Sequence, residues 1–460
     1  MQMQEDLSLF QKIATKLLQK EKENGVVKPI PPKELLNQLD LELQDEALSE
    51  ENFEKALTDV VYNTPRTSTS LFFNQLFGGR QSKGTLGELI AAMLNNSMYT
   101  YKVGGPQVGI EKNIIKKVCE LIGYSENADG TFPPGGSMSN FMALIMARDA
   151  HNRKIKNEGV SSKMIVYTSE DSHYSIQKNT TFAGIGINQI RNIKTNANGQ
   201  MDVDALAQQI AEDEEAGYKP CFVNATAGTT VLGVFDDIKA IHNVIKSKDI
   251  WLHVDGAYCG AAIFSDQYKH LLKGLELTDS FSFNAHKMLG VPLSCSIIVT
   301  QDKANLKHSF ACDANYLYQT DGDDYNLGKT SIQCGRRNDA LKFWTLWKSI
   351  GTKGLEQLVD KQFHLANVAL DYVKNNSDYT VYSDEDSVSV CFNYKGINPK
   401  LLCNSLYEDA ELMVGYGSFN EHTFVRLVTV NTCNEEEDIL NFFKVLEAYV
   451  EKKQLAEVNV

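Results

Sequence analysis

Trp251-Leu-His-Val-Asp255-Gly-Ala257, followed by Ser282-Phe-Asn-Ala-His286-Lys287 whose lysine lies 32 positions after the aspartate, is the stretch on which the fold turns. The apolar run Ile250 to Val254 reads as a buried strand that ends on a carboxylate. A buried carboxylate needs a positive partner or several hydrogen bonds. Taken alone, an aspartate there equally well caps the next helix. The spacing to Lys287 is that of one strand-helix-strand unit. A lone lysine is ordinarily a solvated surface charge. Here it follows an apolar strand and precedes Met-Leu-Gly-Val-Pro-Leu, where burial would push the amine toward its neutral, nucleophilic form.

Outward from that stretch the same alternation continues. Met164 to Tyr167, Pro220 to Val223 and Ser296 to Thr300 are further candidate strands, with helical patterns over Met201 to Glu214 and Ile238 to Ser247. This is the pattern of a mostly parallel α/β sheet wrapped by helices, in which ligands sit beyond the carboxyl ends of the strands. Residues 1–65 read as a charged helical arm, too thin to fold alone. Its apolar positions Leu7, Phe10, Ile13, Leu17 and Leu18 stand near helical spacing, and Pro32 is placed to open a second helix. After the large α/β region, 66–345, a helix over Gly354 to Lys374 leads into strand-like runs Val388 to Asn393 and Thr423 to Val428. A last helix, Glu435 to Lys452, completes a small α+β domain, 346–460.

Two other segments carry chemistry. Asp129 to Asn140 ends in Gly-Gly-Ser-Met-Ser-Asn before the helical run Phe141 to Arg148. Glycines and a helix N-terminus can cradle a phosphate, although a plain turn and cap account for the same residues. His173, past the strand Met164 to Tyr167, reads as an acid or base, a stacking ring or a satisfied core residue.

Composition narrows the classes. With 43% hydrophobic and 23% charged residues the chain is an ordinary globular one, and at 460 residues it is long enough for two or three packed units. A net charge of -14 argues against a nucleic-acid partner. No run approaches the roughly 20 apolar residues of a membrane span, and the N-terminus does not resemble a secretory signal. The nine scattered cysteines form no Cys-x-x-Cys pair, so no disulfide framework or metal site is expected and a reducing cytoplasm is. Cys221, Cys295 and Cys391 read as small buried hydrophobes.

A phosphate cradle, a histidine, a strand-end aspartate and a buried lysine, in that order, suit pyridoxal 5'-phosphate. The aspartate keeps the ring nitrogen protonated, the lysine forms the Schiff base and the cradle anchors the phosphate.

Over about residues 66–450 the chain resembles the group II pyridoxal phosphate-dependent amino acid decarboxylases, in their cysteine sulfinate, aspartate and glutamate decarboxylase branch. The resemblance rests on Leu71-Phe-Phe-Asn-Gln-Leu-Phe77, Gly135 to Asn140, Ser172-His-Tyr-Ser175, Asn224-Ala-Thr-Ala-Gly-Thr-Thr230, His253-Val-Asp255 and Asn284-Ala-His-Lys287. Tyr316-Leu-Tyr318 and Gln333-Cys-Gly-Arg-Arg337 extend it. It implies fold type I, the aspartate aminotransferase-like fold, with the active site at the interface of a homodimer and the 1–65 segment taking part in dimerisation.

The resemblance also implies roles. Lys287 holds the cofactor, while His286, Ser137, Met138 and Ser139 hold its phosphate. His173 stacks on the ring, Asp255 pairs with the ring nitrogen, and Thr226 and Ala257 line it. Tyr316 is the mobile-loop tyrosine that returns a proton to Cα, and Arg426 binds the substrate carboxylate. Gln75, Phe77 and Ser97 belong to the substrate pocket. An aromatic at 77 and a serine at 97 match the cysteine sulfinate and aspartate enzymes, where glutamate enzymes carry a small residue and an asparagine. The expected reaction is decarboxylation of cysteine sulfinate or aspartate, giving hypotaurine or β-alanine. The alternatives are glutamate giving 4-aminobutyrate, another amino acid, a pyridoxal phosphate-dependent aminotransferase, or a catalytically silent relative.

Departures from the family pattern are Asn284-Ala-His-Lys287 for Asn-Pro-His-Lys, Asp255-Gly-Ala-Tyr258 for Asp-Ala-Ala-Trp, and Tyr101-Lys-Val-Gly-Gly-Pro106 for Tyr-Glu-Ile-Ala-Pro-Val. The loop after Tyr318 is also shorter. The change over Lys102 to Gln107 bears on the pocket wall.

Overall fold

The computed structural model describes residues 2–23, 25–312, 318 and 323–455. They form two compact units, one of 80–364 with 384–389, the other of 1–79, 365–383 and 390–460.

The larger unit is built on a seven-stranded sheet. Its order is Asp129–Thr131, Ser296–Thr300, Ser280–Asn284, Trp251–Gly256, Lys219–Thr226, Met164–Ser169 and Ile190–Ile193. The five strands from Ser280–Asn284 to Ile190–Ile193 are mutually parallel, and Ser296–Thr300 pairs antiparallel with both of its neighbours. Every residue of Met164–Ser169, Trp251–Gly256 and Ser280–Asn284 is buried, as expected where helices cover both faces of a parallel sheet. Register places Thr226 opposite Asp255 and Asp255 opposite Ser282. Three strands therefore deliver side chains to one carboxyl-end rim.

The helix Gly136–His151 buries Met142 to Ala147 and carries the glycine-rich segment at its N-terminus. A second fixed point is the buried pair of Glu111, on helix Pro106–Ile122, and Arg336. Arg336 also donates to Phe132 O, and its backbone grips residues 97 and 98: Met98 N donates to Arg336 O at 2.9 Å and Arg336 N to Ser97 Oγ at 3.2 Å.

The smaller unit has a five-stranded sheet in the order Phe72–Phe73, Met413–Phe419, His422–Val428, Ser389–Tyr394 and Tyr379–Val381. Its core includes Phe73, Phe392, Phe442 and Phe443, and Phe443 stacks on Tyr372 at 4.1 Å. The N-terminal helix Gln2–Glu23 lies against Glu50–Asn63, where Lys12 pairs with Glu54 and Tyr62 Oη donates to Ile13 O. Pro32 opens the short helical turn Pro32–Glu34, as its position predicts.

Compactness divides the chain elsewhere than at 65 and 345. Phe72 and Phe73 pair in parallel with Met413 and Val414, so the segment after residue 65 joins the C-terminal strands. Helix Asp339–Lys374 begins well before Gly354 and is interrupted at Gly351, whose φ of 69° favours glycine.

Arg336→Met would leave Glu111 as an uncompensated buried carboxylate. The variant is expected to lose about 3–5 kcal/mol of stability in urea denaturation, most of it recovered when Glu111→Leu is added.

Candidate active site

At the carboxyl-end rim lies a cavity of about 210 Å³, lined among others by Gly136, Ser137, Asn140, His173, Thr226, Asp255, Ala257, Asn284 and Lys287. Six expected site residues are thereby brought together: Ser137, His173, Thr226, Asp255, Ala257 and Lys287.

Asp255 is buried at the end of its strand, with 4% of its surface exposed. Its carboxylate accepts from Asn140 Nδ2 at 2.7 Å and from the Ala257 amide at 3.0 Å. Both partners are neutral donors, so the negative charge is solvated but not neutralised by them. Thr226 is held beside it, its amide donating to the buried Asp236 carboxylate at 2.7 Å. Burial pushes Asp236 up to about 6 against the pull of the amides of Met201 and Thr226. Lys287 is half-buried, its Nζ lying 5.7 Å from the centre of the Tyr258 ring. Tyr258 in turn exchanges a hydrogen bond with Ser389 Oγ at 2.8 Å. His173 accepts at Nδ1 from the Ser175 amide, and burial holds its pKa below the ordinary imidazole value against the opposing pull of Asp255.

The glycine-rich segment opens a helix at the cavity. Helix Gly136–His151 starts at Gly135 with no side-chain cap; the amides of Met138 and Ser139 donate to Gly135 O, and those of Gly136 and Ser137 are the ones placed to meet an anion. A Cβ on Gly136 would stand 2.9 Å from Asn284 Nδ2 and 3.1 Å from Ala257 Cβ, so only glycine admits this close approach.

Met138, Ser139 and His286 do not line the cavity. Ser139 Oγ is 2.8 Å from Ser296 Oγ, which itself donates to Asn284 Oδ1 at 2.6 Å. His286 is buried against Cys295, whose amide donates to Nδ1 at 2.9 Å, and burial lowers its pKa to about 4. Both side chains back the rim from behind. Asn140, Asn284, Ser175, Asp236 and Tyr258 complete the site. The motifs had contained Asn140, Ser175, Asn284 and Tyr258 without assigning them a role, and no motif had pointed to Asp236.

Ser97 belongs to the same unit as the cavity. Its hydroxyl donates to Cys334 O and accepts from the amides of Tyr99 and Arg336, so it is spent on backbone. Gln75, Phe77 and Arg426 belong to the smaller unit. There the Arg426 guanidinium donates to Asn74 O at 3.0 Å, beside the exposed Gln75, and the Phe77 ring lies 6.3 Å from that of Phe72. Tyr316 lies outside the described residues. Its neighbour Tyr318 stacks on Tyr99 at 5.7 Å. Cys221, Cys295 and Cys391 are buried, and burial pushes the thiols of Cys221 and Cys391 up to about 12.

An anion cradle, a buried carboxylate hydrogen-bonded by neutral donors and an amine around one small cavity match a pyridine ring bearing a phosphate and an aldehyde. Comparison with known proteins agrees. The pyridoxal-dependent decarboxylase conserved domain matches residues 32–395. The chain belongs to the pyridoxal-dependent decarboxylases.

This decarboxylase is 38% identical over 370 residues to the acidic amino acid decarboxylase GADL1 of Mus musculus, covering 79% of this chain and 67% of that one. It is 34% identical over 439 residues to the cysteine sulfinic acid decarboxylase of Homo sapiens, covering 89% and 88%. The crystal structure of mouse CSAD superposes with a TM-score of 0.90 at 32% identity over 96% of this chain and 98% of that one. A tryptamine-bound Oryza sativa TDC gives the same TM-score at 22% identity over 98% of each chain, a likeness of fold. The fold is therefore that of the fold type I pyridoxal phosphate enzymes, as the sequence implied. The decarboxylase uses pyridoxal phosphate, and the residues of the cavity fit that cofactor. No helix among the described residues is long and apolar enough to cross a membrane.

If Lys287 is the covalent anchor, purified protein incubated with pyridoxal phosphate absorbs in the near-visible, and Lys287→Ala loses that absorbance on dialysis. A wild-type protein that stays colourless would contradict the assignment.

Proposed function

We propose that this decarboxylase removes the α-carboxylate of a small acidic L-amino acid, cysteine sulfinate or aspartate, giving hypotaurine or β-alanine. The observation that carries the reading is the gathering of His173, Thr226, Asp255 and Lys287 around one cavity, in a chain whose relatives are named as cysteine sulfinic acid and acidic amino acid decarboxylases.

Pyridoxal phosphate, when bound, supplies the electron sink that lets the bond from Cα to the carboxylate break. The protein's part is positional and electrostatic. Asp255, itself held by Asn140 and the Ala257 amide, would keep the pyridine nitrogen protonated. Ser137 and the first-turn amides of its helix take the phosphate, with Met138, Ser139 and His286 supporting that rim. Thr226, Ala257 and His173 would line the ring. Lys287 would hold the cofactor. Tyr316 delivers the proton to Cα once carbon dioxide has left.

Arg426 takes the substrate carboxylate, its guanidinium anchored on the backbone of Asn74. Gln75 hydrogen-bonds the distal acid group, and the ring of Phe77 shortens the pocket against glutamate. Ser97 shapes the wall through its backbone contacts rather than by touching substrate.

The enzyme works as a homodimer in the cytoplasm, with the 1–65 arm at the interface and the cofactor bound within the 66–345 region. Helix Ser82–Leu94 leaves Leu86, Ile90, Met93 and Leu94 between 45% and 55% exposed, and Phe10 and Leu18 of the arm are as open. Apolar surface of that extent suits burial by a second copy of the chain.

In a competition assay with amine products identified by mass, cysteine sulfinate or aspartate is expected to show higher kcat/KM than glutamate. Phe77→Ser with Ser97→Asn should move the preference toward glutamate. A methylene is worth only about 1–3 kcal/mol in such a pocket, so overlap between the acids is expected. Glutamate, or an aromatic or basic amino acid, winning against wild type would overturn the substrate assignment.

A further inference from the structure

A chain of buried side chains runs from the back of the sheet to the rim of the cavity, and the direction of every hydrogen bond in it is fixed by chemistry. At its far end Trp251 Nε1, which can only donate, gives its proton to Ser280 Oγ at 2.8 Å. Ser280 Oγ also meets His253 Nδ1 at 2.9 Å, and His253 Nε2 meets Asn140 Oδ1 at 3.1 Å. Asn140 Nδ2 faces the Asp255 carboxylate, so the amide cannot be flipped and its oxygen must accept from His253. Burial lowers the pKa of His253 to about 4, leaving one ring proton. That proton sits on Nε2, and Ser280 donates to the bare Nδ1.

The near end is equally constrained. The second proton of Asn140 Nδ2 goes to Ser175 Oγ at 3.0 Å. Ser175 Oγ accepts from Asn140 and lies 2.8 Å from His173 Nδ1, to which it donates if that nitrogen is bare. The Ser175 amide, an obligate donor, points at the same nitrogen at 3.2 Å. Nδ1 of His173 is thus bare, and its proton is on Nε2.

We propose that Ser175, Asn140 and His253 are positioning residues which, with Ser280 and Trp251, form a one-way hydrogen-bond chain that locks His173 as a neutral Nε2–H imidazole and orients the Asp255 carboxylate in the same stroke. Asn140 is the branch point, since its two amide protons serve Asp255 and Ser175 together. Protonating His173 at Nδ1 would set an N–H against the Ser175 amide and force the hydroxyl to turn away. A neutral ring matters because a protonated pyridine ring stacked on an imidazolium would meet like charge. The charged groups facing His173 are Asp255 and Lys287, whose effects oppose one another, and the Tyr174 ring lies 4.3 Å away. The significance for stacking rests on the reading of the cavity as the cofactor site. The tautomer itself does not.

The test is a histidine-ring nitrogen NMR spectrum of the holoenzyme labelled with ring-15N histidine. The protein has nine histidines, and His173 is assigned as the signal missing from His173→Gln. The wild type is expected to show His173 as neutral Nε2–H at pH 7. Ser175→Ala removes one donor to Nδ1, so the protonation midpoint of His173 should rise by about one pH unit. Ser175→Thr, which keeps the hydroxyl, should restore the wild-type midpoint. An Nδ1–H or doubly protonated His173 in the wild type, or the same midpoint in Ser175→Ala, would overturn the proposal. The near-visible absorbance of the same samples reads cofactor loading separately. Its absence would refute the cofactor reading while the tautomer result stands on the nitrogen signals alone.

Discussion

The structure is organised around the cost of burying one carboxylate. Asp255 ends the strand Trp251–Gly256 in the interior, where an ion without a counter-charge is expensive. The amide protons it accepts lower that cost without cancelling the charge. In the proposed reading a protonated pyridine nitrogen would cancel it and would in turn be kept protonated by it. Each arrangement nearby is consistent with that exchange. His253 is too deeply buried to become a competing cation, and Asn140 is oriented so that only its nitrogen meets the carboxylate.

The parallel sheet supplies the rigidity such a site needs. Strands that are buried along their whole length cannot slip in register without exposing apolar side chains, so Thr226, Asp255 and Ser282 stay level with one another. The proposed phosphate end would depend on a different element, the uncapped start of Gly136–His151, and on the absence of a side chain at Gly136. Anchoring two ends of one small molecule on separate elements fixes its orientation as well as its position.

Much of this was legible in the sequence because its signals are local. Apolar runs mark the buried strands Met164–Ser169, Lys219–Thr226 and Trp251–Gly256, and the chemical residues follow them. What escaped reading was short or non-local. Asp129–Thr131 carries Asp-Gly-Thr, which reads as a turn, and becomes a strand only by pairing with Ser296–Thr300. Ile190–Ile193 is an edge strand with one buried residue in four, too weak a pattern to stand out. Phe72–Phe73 is two residues long and exists because Met413 and Val414 lie beside it, which displaced the domain boundary. The supporting residues Asn140, Ser175 and Asn284 sat inside quoted motifs, but their roles depend on which side chain each amide and hydroxyl meets across the sheet. Sequence spacing carries no such information. Ser139 and His286 were legible as motif members, yet their side chains are turned to Ser296 and Cys295 behind the rim.

In the proposed mechanism the charge of Asp255, beyond its shape, drives the chemistry. Asp255→Asn keeps the volume and the hydrogen-bonding reach while removing the charge. Its amine formation from the best wild-type substrate, measured on protein shown by near-visible absorbance to retain pyridoxal phosphate, should fall by about two to three decades in kcat. A cofactor-loaded Asp255→Asn that turns over within about threefold of wild type, well short of the loss of an electrostatic stabiliser, would contradict the account.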